Sequence, residues 1–172
     1  MLLTASGTLT AALFPQNVEA LECDFEKLGE HRYVYRMLFR LYEAALFTTP
    51  GATAEDVLNA DTAFHLKFRY LRKIDKRIIL KSADRMLQKN LTAPEQAAIA
   101  ERAHQINQAY TSVRQGDVSS LTYRPGIGTT LMINGEPVVT IQGKDFGQLY
   151  FRIWLGKQPI STHLKHHLLG KG

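Results

Sequence analysis

Alternation of apolar and polar residues over two long segments constrains this chain more than any other feature. In HRYVYRMLFRLYEAALF, residues 31–47, the odd positions Tyr33, Tyr35, Met37, Phe39 and Leu41 are all apolar or aromatic. The even positions mix Arg32, Val34, Arg36, Leu38, Arg40 and Tyr42. A period of two with aromatic enrichment predicts a strand with one buried and one mixed face. On a helix the three arginines, four apart, would make a single basic stripe, but the aromatics would then scatter around the whole circumference. The spacing therefore predicts one long strand. AFHLKFRYLR repeats the alternation, with Phe64, Leu66, Phe68 and Tyr70 on one side. His65, Lys67 and Arg69 take the other side, which places His65 toward solvent. Pro50-Gly51 marks a turn between the two, and Thr53-Ala-Glu-Asp56 opens a short capped helical turn.

After Ile74 the period changes. Ile79, Ala83, Met86 and Leu87 fall at helical spacing. Thr92-Ala-Pro-Glu95 is a helix start with a threonine cap, proline in the first turn and glutamate at the third position. Ile99, Ala103, Ile106, Tyr110 and Val113 continue it as an amphipathic stripe. Strands return at SLTYRPG, TTLMING and PVVTIQG, and Asn134-Gly135 is a strong hairpin signal between the last two. DFGQLYFRIWLG reads as one helix with Asp145 near its cap and Gly156 past its end, and Ser161 caps a final helix through Leu169. The order β β α α β β β α α predicts an α+β fold, an antiparallel sheet covered on one face by helices.

At 172 residues the chain suffices for one domain that buries about 70% of its unfolded surface. No run of eighteen apolar residues is present, so no integral membrane helix is expected. The net charge of +5 is dispersed rather than blocked, which argues against a nucleic-acid partner. Cys23 is the only cysteine and reads as a small buried thiol; no internal disulfide is possible. Residues 1–20 are apolar with small residues, and Val18-Glu19-Ala20 has the small side chains of a leader cleavage site without a basic front. This reading makes 1–20 a leader or loose arm, 21–172 the single domain, and the compartment periplasmic or secreted, with cytoplasmic as the alternative.

Several motifs lead nowhere. Asp145-Phe146-Gly147 lacks the glycine-rich and catalytic loops of a kinase. Gly126-Ile-Gly128 opens no helix, as a dinucleotide fingerprint must. His163, His166 and His167 share one helix face but have no helper carboxylate, and a solvated basic tail is the expected role, with no metal and no cofactor.

The run TYRPGIGTTLMINGEPVVTIQGKDFGQLYFRIWLGKQPISTHLKHHLLG, together with HRYVYRMLFRLYEAALF, resembles bacterial chalcone isomerase-like proteins. Those pair a hairpin with an "iWLG" helix and a closing helix ending in "LLG". The resemblance spans residues 21–170. It implies an open-faced β-sandwich, a large antiparallel sheet with helices on one side and a cleft between. In plant chalcone isomerases the cleft closes a flavanone ring; in fatty-acid-binding relatives it holds a fatty acid by its carboxylate. The family's arginine falls on Arg32, and the threonine of the plant enzymes falls on Tyr42, with the same parity on the expected strand. The catalytic tyrosine falls near Asp75 or Lys76, the asparagine near Ser82, and the hydroxyl of the tryptophan helix on Ile153. With most donors missing, the resemblance implies no catalytic residues and a binder of small hydrophobic or carboxylate ligands that uses Arg32 and Tyr42. The alternatives are an isomerase or intramolecular lyase using the same two residues, or a partner-binding structural module. Arg36 and Arg40 are expected to face solvent, and Trp154 to anchor a helix end.

Overall fold

The computed structural model describes residues 24–172; the leader reading at 1–20 and Cys23 lie outside them. Six strands form one antiparallel sheet in sequence order: β1 (Glu26–Tyr35), β2 (Phe39–Thr48), β3 (Phe64–Tyr70), β4 (Val118–Arg124), β5 (Gly128–Ile133) and β6 (Glu136–Ile141). A short α1 (Ala54–Leu58) lies between β2 and β3. Helices α2 (Lys76–Asn90) and α3 (Ala93–Ala109) separate β3 from β4, and α4 (Lys144–Tyr150), α5 (Arg152–Leu155) and α6 (Thr162–Leu168) follow β6. This is the expected α+β open-faced sandwich, with the helices on one side of the sheet. No helix among the described residues is long and apolar enough to cross a membrane.

Alternation puts a continuous row of Leu46, Leu66, Leu121 and Leu131 across four strands, all fully buried. Each such side chain contributes about 1.5–3 kcal/mol of burial. Met86, Ile99, Ile106, Phe146, Trp154 and Leu164 cover that row from the helices in one core. The capping box expected at Thr92 is present: Thr92 Oγ1 accepts from Glu95 N–H, and the Glu95 carboxylate accepts from Thr92 N–H at 2.8 Å. Asn134 and Gly135 both take positive φ, 50° and 85°, the pair that a type I′ hairpin turn requires. The long excursion through α2 and α3 leaves and returns at one place, because Ile74 and Val113 bridge each other and Tyr70 N–H donates to Asp117 O at 2.9 Å.

Four expectations are corrected. Residues 31–47 are not one strand but the β1–β2 hairpin, turning at Tyr35–Leu38 with Leu38 N–H donating to Tyr35 O at 3.2 Å. Arg36 and Met37 both have positive φ, 50° and 57°, and the turn contains no Gly, Asn, Asp or Pro to signal it. DFGQLYFRIWLG forms two helices meeting at Phe151; Gly143 is the cap, and Asp145 stands near it in the first turn, where its Oδ2 accepts from Arg102 Nη2 at 2.5 Å. The α3 stripe stops at Ala109, so Tyr110 is the cap residue and Val113 belongs to the bridge. His65 is buried, its Nδ1 2.7 Å from Thr122 Oγ1, with the rings of Phe25 and Phe47 on either side.

Candidate functional site

Pairing register decides where Arg32 and Tyr42 point. In the β1–β2 ladder Arg32 sits opposite Glu43, and Tyr33 sits opposite Tyr42. Opposed residues share a face and successive residues alternate. Tyr42 therefore faces the helices, and Arg32 faces the other side of the sheet. There Arg32 donates from Nε and Nη2 to Glu43 Oε1 at 3.0 and 2.5 Å. Arg69, the next residue along the row, donates to Glu43 Oε2 from Nε at 2.8 Å and also from Nη2. Burial acts to raise the Glu43 pKa, but the two guanidiniums outweigh it and hold the carboxyl below its ordinary value. The expectation that Arg32 and Tyr42 look into one hollow is thus overturned by the hairpin, which reverses the chain between them. Arg32 is absent from the lining of the cavity described next.

That cavity, of about 740 Å³, lies between the β1–β3 side of the sheet and α2, within the size range of small-molecule sites. Six of the seven tyrosines line it: Tyr33, Tyr35, Tyr42, Tyr70, Tyr110 and Tyr150. Its floor is a run of aromatic contacts. Tyr42 packs against Tyr33 at 5.1 Å and edge-on against Phe68 at 5.3 Å, and Phe68 packs on Trp154 at 5.2 Å. Trp154 does anchor its helix end, as expected, and it is also a wall of the cavity. Ser82 and Ile153, where the resemblance located two missing donors, line the cavity; Asp75 and Lys76 do not. Asp75 instead caps α2 by accepting from Arg77 N–H at 2.9 Å.

The phenols differ in their partners. Tyr70 Oη and Ser119 Oγ are 3.0 Å apart, and Tyr150 Oη donates to Asn107 Oδ1 at 3.4 Å. Tyr42 Oη is buried and has no hydrogen-bond partner of normal geometry among the described residues, although the Trp154 side chain offsets a little of the burial effect on its pKa. Burial pushes the Tyr70 phenol up to about 12 and raises Tyr42, Tyr110 and Tyr150 well above the ordinary phenol range. All four stay protonated at neutral pH and present only O–H donors and neutral oxygens. Among the described residues the lining carries no carboxylate, imidazole or thiol; histidine is the side chain most often used as a general base.

Charge is confined to the rim. Arg72 and Lys73 follow β3, and Lys81, Arg85 and Lys89 stand four apart along α2. That spacing puts the last three in one stripe. No ion pair involves any of the five among the described residues. Arg72 rests over the Phe39 ring at 5.1 Å. The expectation from the sequence was Arg32 as the anion anchor, and none of these five cations was singled out. The available signal was the i, i+4, i+8 spacing opposite the apolar stripe of α2.

A sheet of this topology, roofed on one side by helices with an aromatic hollow beneath, is the expectation that the sequence resemblance raised. The chain belongs to the chalcone isomerase-like family, which matches residues 30–170. Its fold is similar to that of a solved fatty-acid binding protein of Arabidopsis thaliana, with 13% identity, 91% of each chain covered and a TM-score of 0.68. No curated protein matches the sequence.

Proposed function

We propose that the protein binds a small amphiphile with an anionic head, such as a fatty acid, and does no chemistry on it. The carrying observation is the charge layout of the cavity: five cations at the rim, no acid in the lining among the described residues, and an aromatic and aliphatic interior. An apolar tail gains by leaving water for such a wall, and a carboxylate at the rim gains charge-assisted hydrogen bonds. The Tyr42 side chain lines the hollow, and its hydroxyl is the interior polar group this reading assigns to the ligand. Similarity to a fatty-acid binding protein supports the same reading by fold. The isomerase alternative finds little support, because Arg32 and Tyr42 lie on opposite faces and cannot converge on one substrate.

Titration of the purified protein with a saturated fatty acid and with the alcohol of equal chain length tests this. The acid is expected to bind more tightly, and the triple change Lys81→Glu, Arg85→Glu and Lys89→Glu to weaken the acid about tenfold, since exposed cations each contribute modestly. The alcohol should be unaffected. Equal affinity for acid and alcohol, or an acid titration that ignores the triple change, refutes the rim cations as the anion site.

A further inference from the structure

Three imidazoles meet on the helix-covered side of the edge strand, outside the cavity lining. His163 and His167 are one turn apart on α6, with Nε2 atoms 3.2 Å from each other. His31 comes from β1, where it pairs with Ala44 and so faces the same side as Tyr33. Its ring stacks on His167 with centroids 4.2 Å apart and planes at 5°, and it meets His163 edge-on at 4.6 Å. One nitrogen from each ring lies within 4.8 Å of the other two. Gly29 permits the approach: a Cβ there would come 1.8 Å from His167 O, so the end of α6 can lie against β1 only because position 29 has no side chain. His166, the third histidine of the helix, is exposed and stands outside the cluster.

We propose that His31, His163 and His167 form a binding site for a late first-row divalent cation, Zn²⁺, Ni²⁺ or Cu²⁺, with a fourth position open to solvent. Donor type selects this class, because a cluster of three imidazole nitrogens suits these ions and not Mg²⁺ or Ca²⁺. Geometry agrees. Zinc–nitrogen bonds of about 2.0–2.1 Å in a tetrahedral site place neighbouring nitrogens about 3.3 Å apart, and the α6 pair is already at that separation. His31 closes the triangle by a ring rotation and a shift on the order of 1 Å. The ion would relieve the crowding of three like groups and clasp α6 to the edge of the sheet. The sequence alone offered His163, His166 and His167; the fold exchanges His166 for a residue from the far end of the domain.

Calorimetric titration of the full chain with Zn²⁺ tests the site, with His31→Gln, His163→Gln and His166→Gln as variants. One ion should bind at the cluster. Loss of His31 or His163 should weaken it about tenfold or more, and loss of His166 should leave it unchanged. Imidazole NMR signals of the unmodified protein give a readout independent of any variant: Zn²⁺ should shift His31, His163 and His167 and leave His65, His104 and His166 in place. If His31→Gln binds as well as the parent, or if the shifts are confined to the α6 pair, the three-ligand site is refuted and only ordinary two-histidine chelation remains. If Zn²⁺ shifts none of the three rings, the proposal fails outright.

Discussion

Replacing Tyr42 by phenylalanine should raise stability and lower affinity at once. The hydroxyl is buried with no partner of normal geometry among the described residues. A buried hydroxyl left without a hydrogen bond costs about 1–3 kcal/mol. Because the Trp154 side chain already offsets part of the hydroxyl's burial, the low end applies, and Tyr42→Phe should gain about 1 kcal/mol in the ligand-free protein. For a domain of this size that is a rise in Tm of about 2–4 °C. In the complex proposed above the same hydroxyl donates to ligand, so on that proposal its removal should weaken binding about fivefold, the equivalent of one ordinary hydrogen bond. Trp154 is the only tryptophan, and it packs on Phe68, which touches Tyr42. Its fluorescence therefore reports both the unfolding transition and the fatty-acid titration. A variant less stable than the parent would mean that the phenol is satisfied within the protein. A more stable variant with unchanged affinity would mean that the hydroxyl never meets the ligand.

Other outcomes test the sheet and its edges. Glu43→Gln should cost about 2 kcal/mol, since breaking a buried ion network costs more but both guanidiniums are more than a third exposed, at 38% and 44%. Because the Glu43 pKa is depressed in the folded protein, its contribution is complete above the unfolded carboxylate value of about 4.3 and is lost as pH falls through the folded value. The gap between parent and variant should therefore begin to close in urea titrations as pH falls below about 4.3, and a constant gap would refute the ionic origin. Met37 is 94% exposed with φ of 57°, so Met37→Gly, which relieves left-handed strain, should stabilise by about 0.5–1 kcal/mol; a loss would contradict the turn geometry. Gly29→Ala should lower the urea midpoint by the equivalent of about 2 kcal/mol or more, because the added methyl would strike backbone; tolerance of the alanine would show that α6 does not lie where described.

Local signals in the sequence located what local chemistry determines. The strand alternation at 64–70, the Thr92 capping box and the Asn134-Gly135 turn each depend on residues within a few positions of one another, and each is found. The β1–β2 turn was illegible for a physical reason. Its central residues adopt left-handed backbone without glycine or asparagine, and exposed Met37 and Leu38 carry the apolar alternation straight through the bend. One missed reversal then placed Arg32 and Tyr42 on a common face. Tyr42 does line the cavity, but the proposed anion site lies on α2, because which stripe of that helix borders the hollow is fixed by packing against α5 and α3 and not by its own sequence. The His31 cluster was hidden in the same way, since β1 and α6 meet only in the folded chain.

The clamp at Ile74 and Val113 has a consequence for how such a protein can change. One wall of the hollow, with its basic stripe, rides on a detour whose two ends are fastened side by side, while the strand ladder closes without it. The exposed residues along that detour, unlike the buried ones that cover the sheet, can be exchanged without disturbing any strand pairing, so rim charge and sheet integrity are free to evolve on separate clocks.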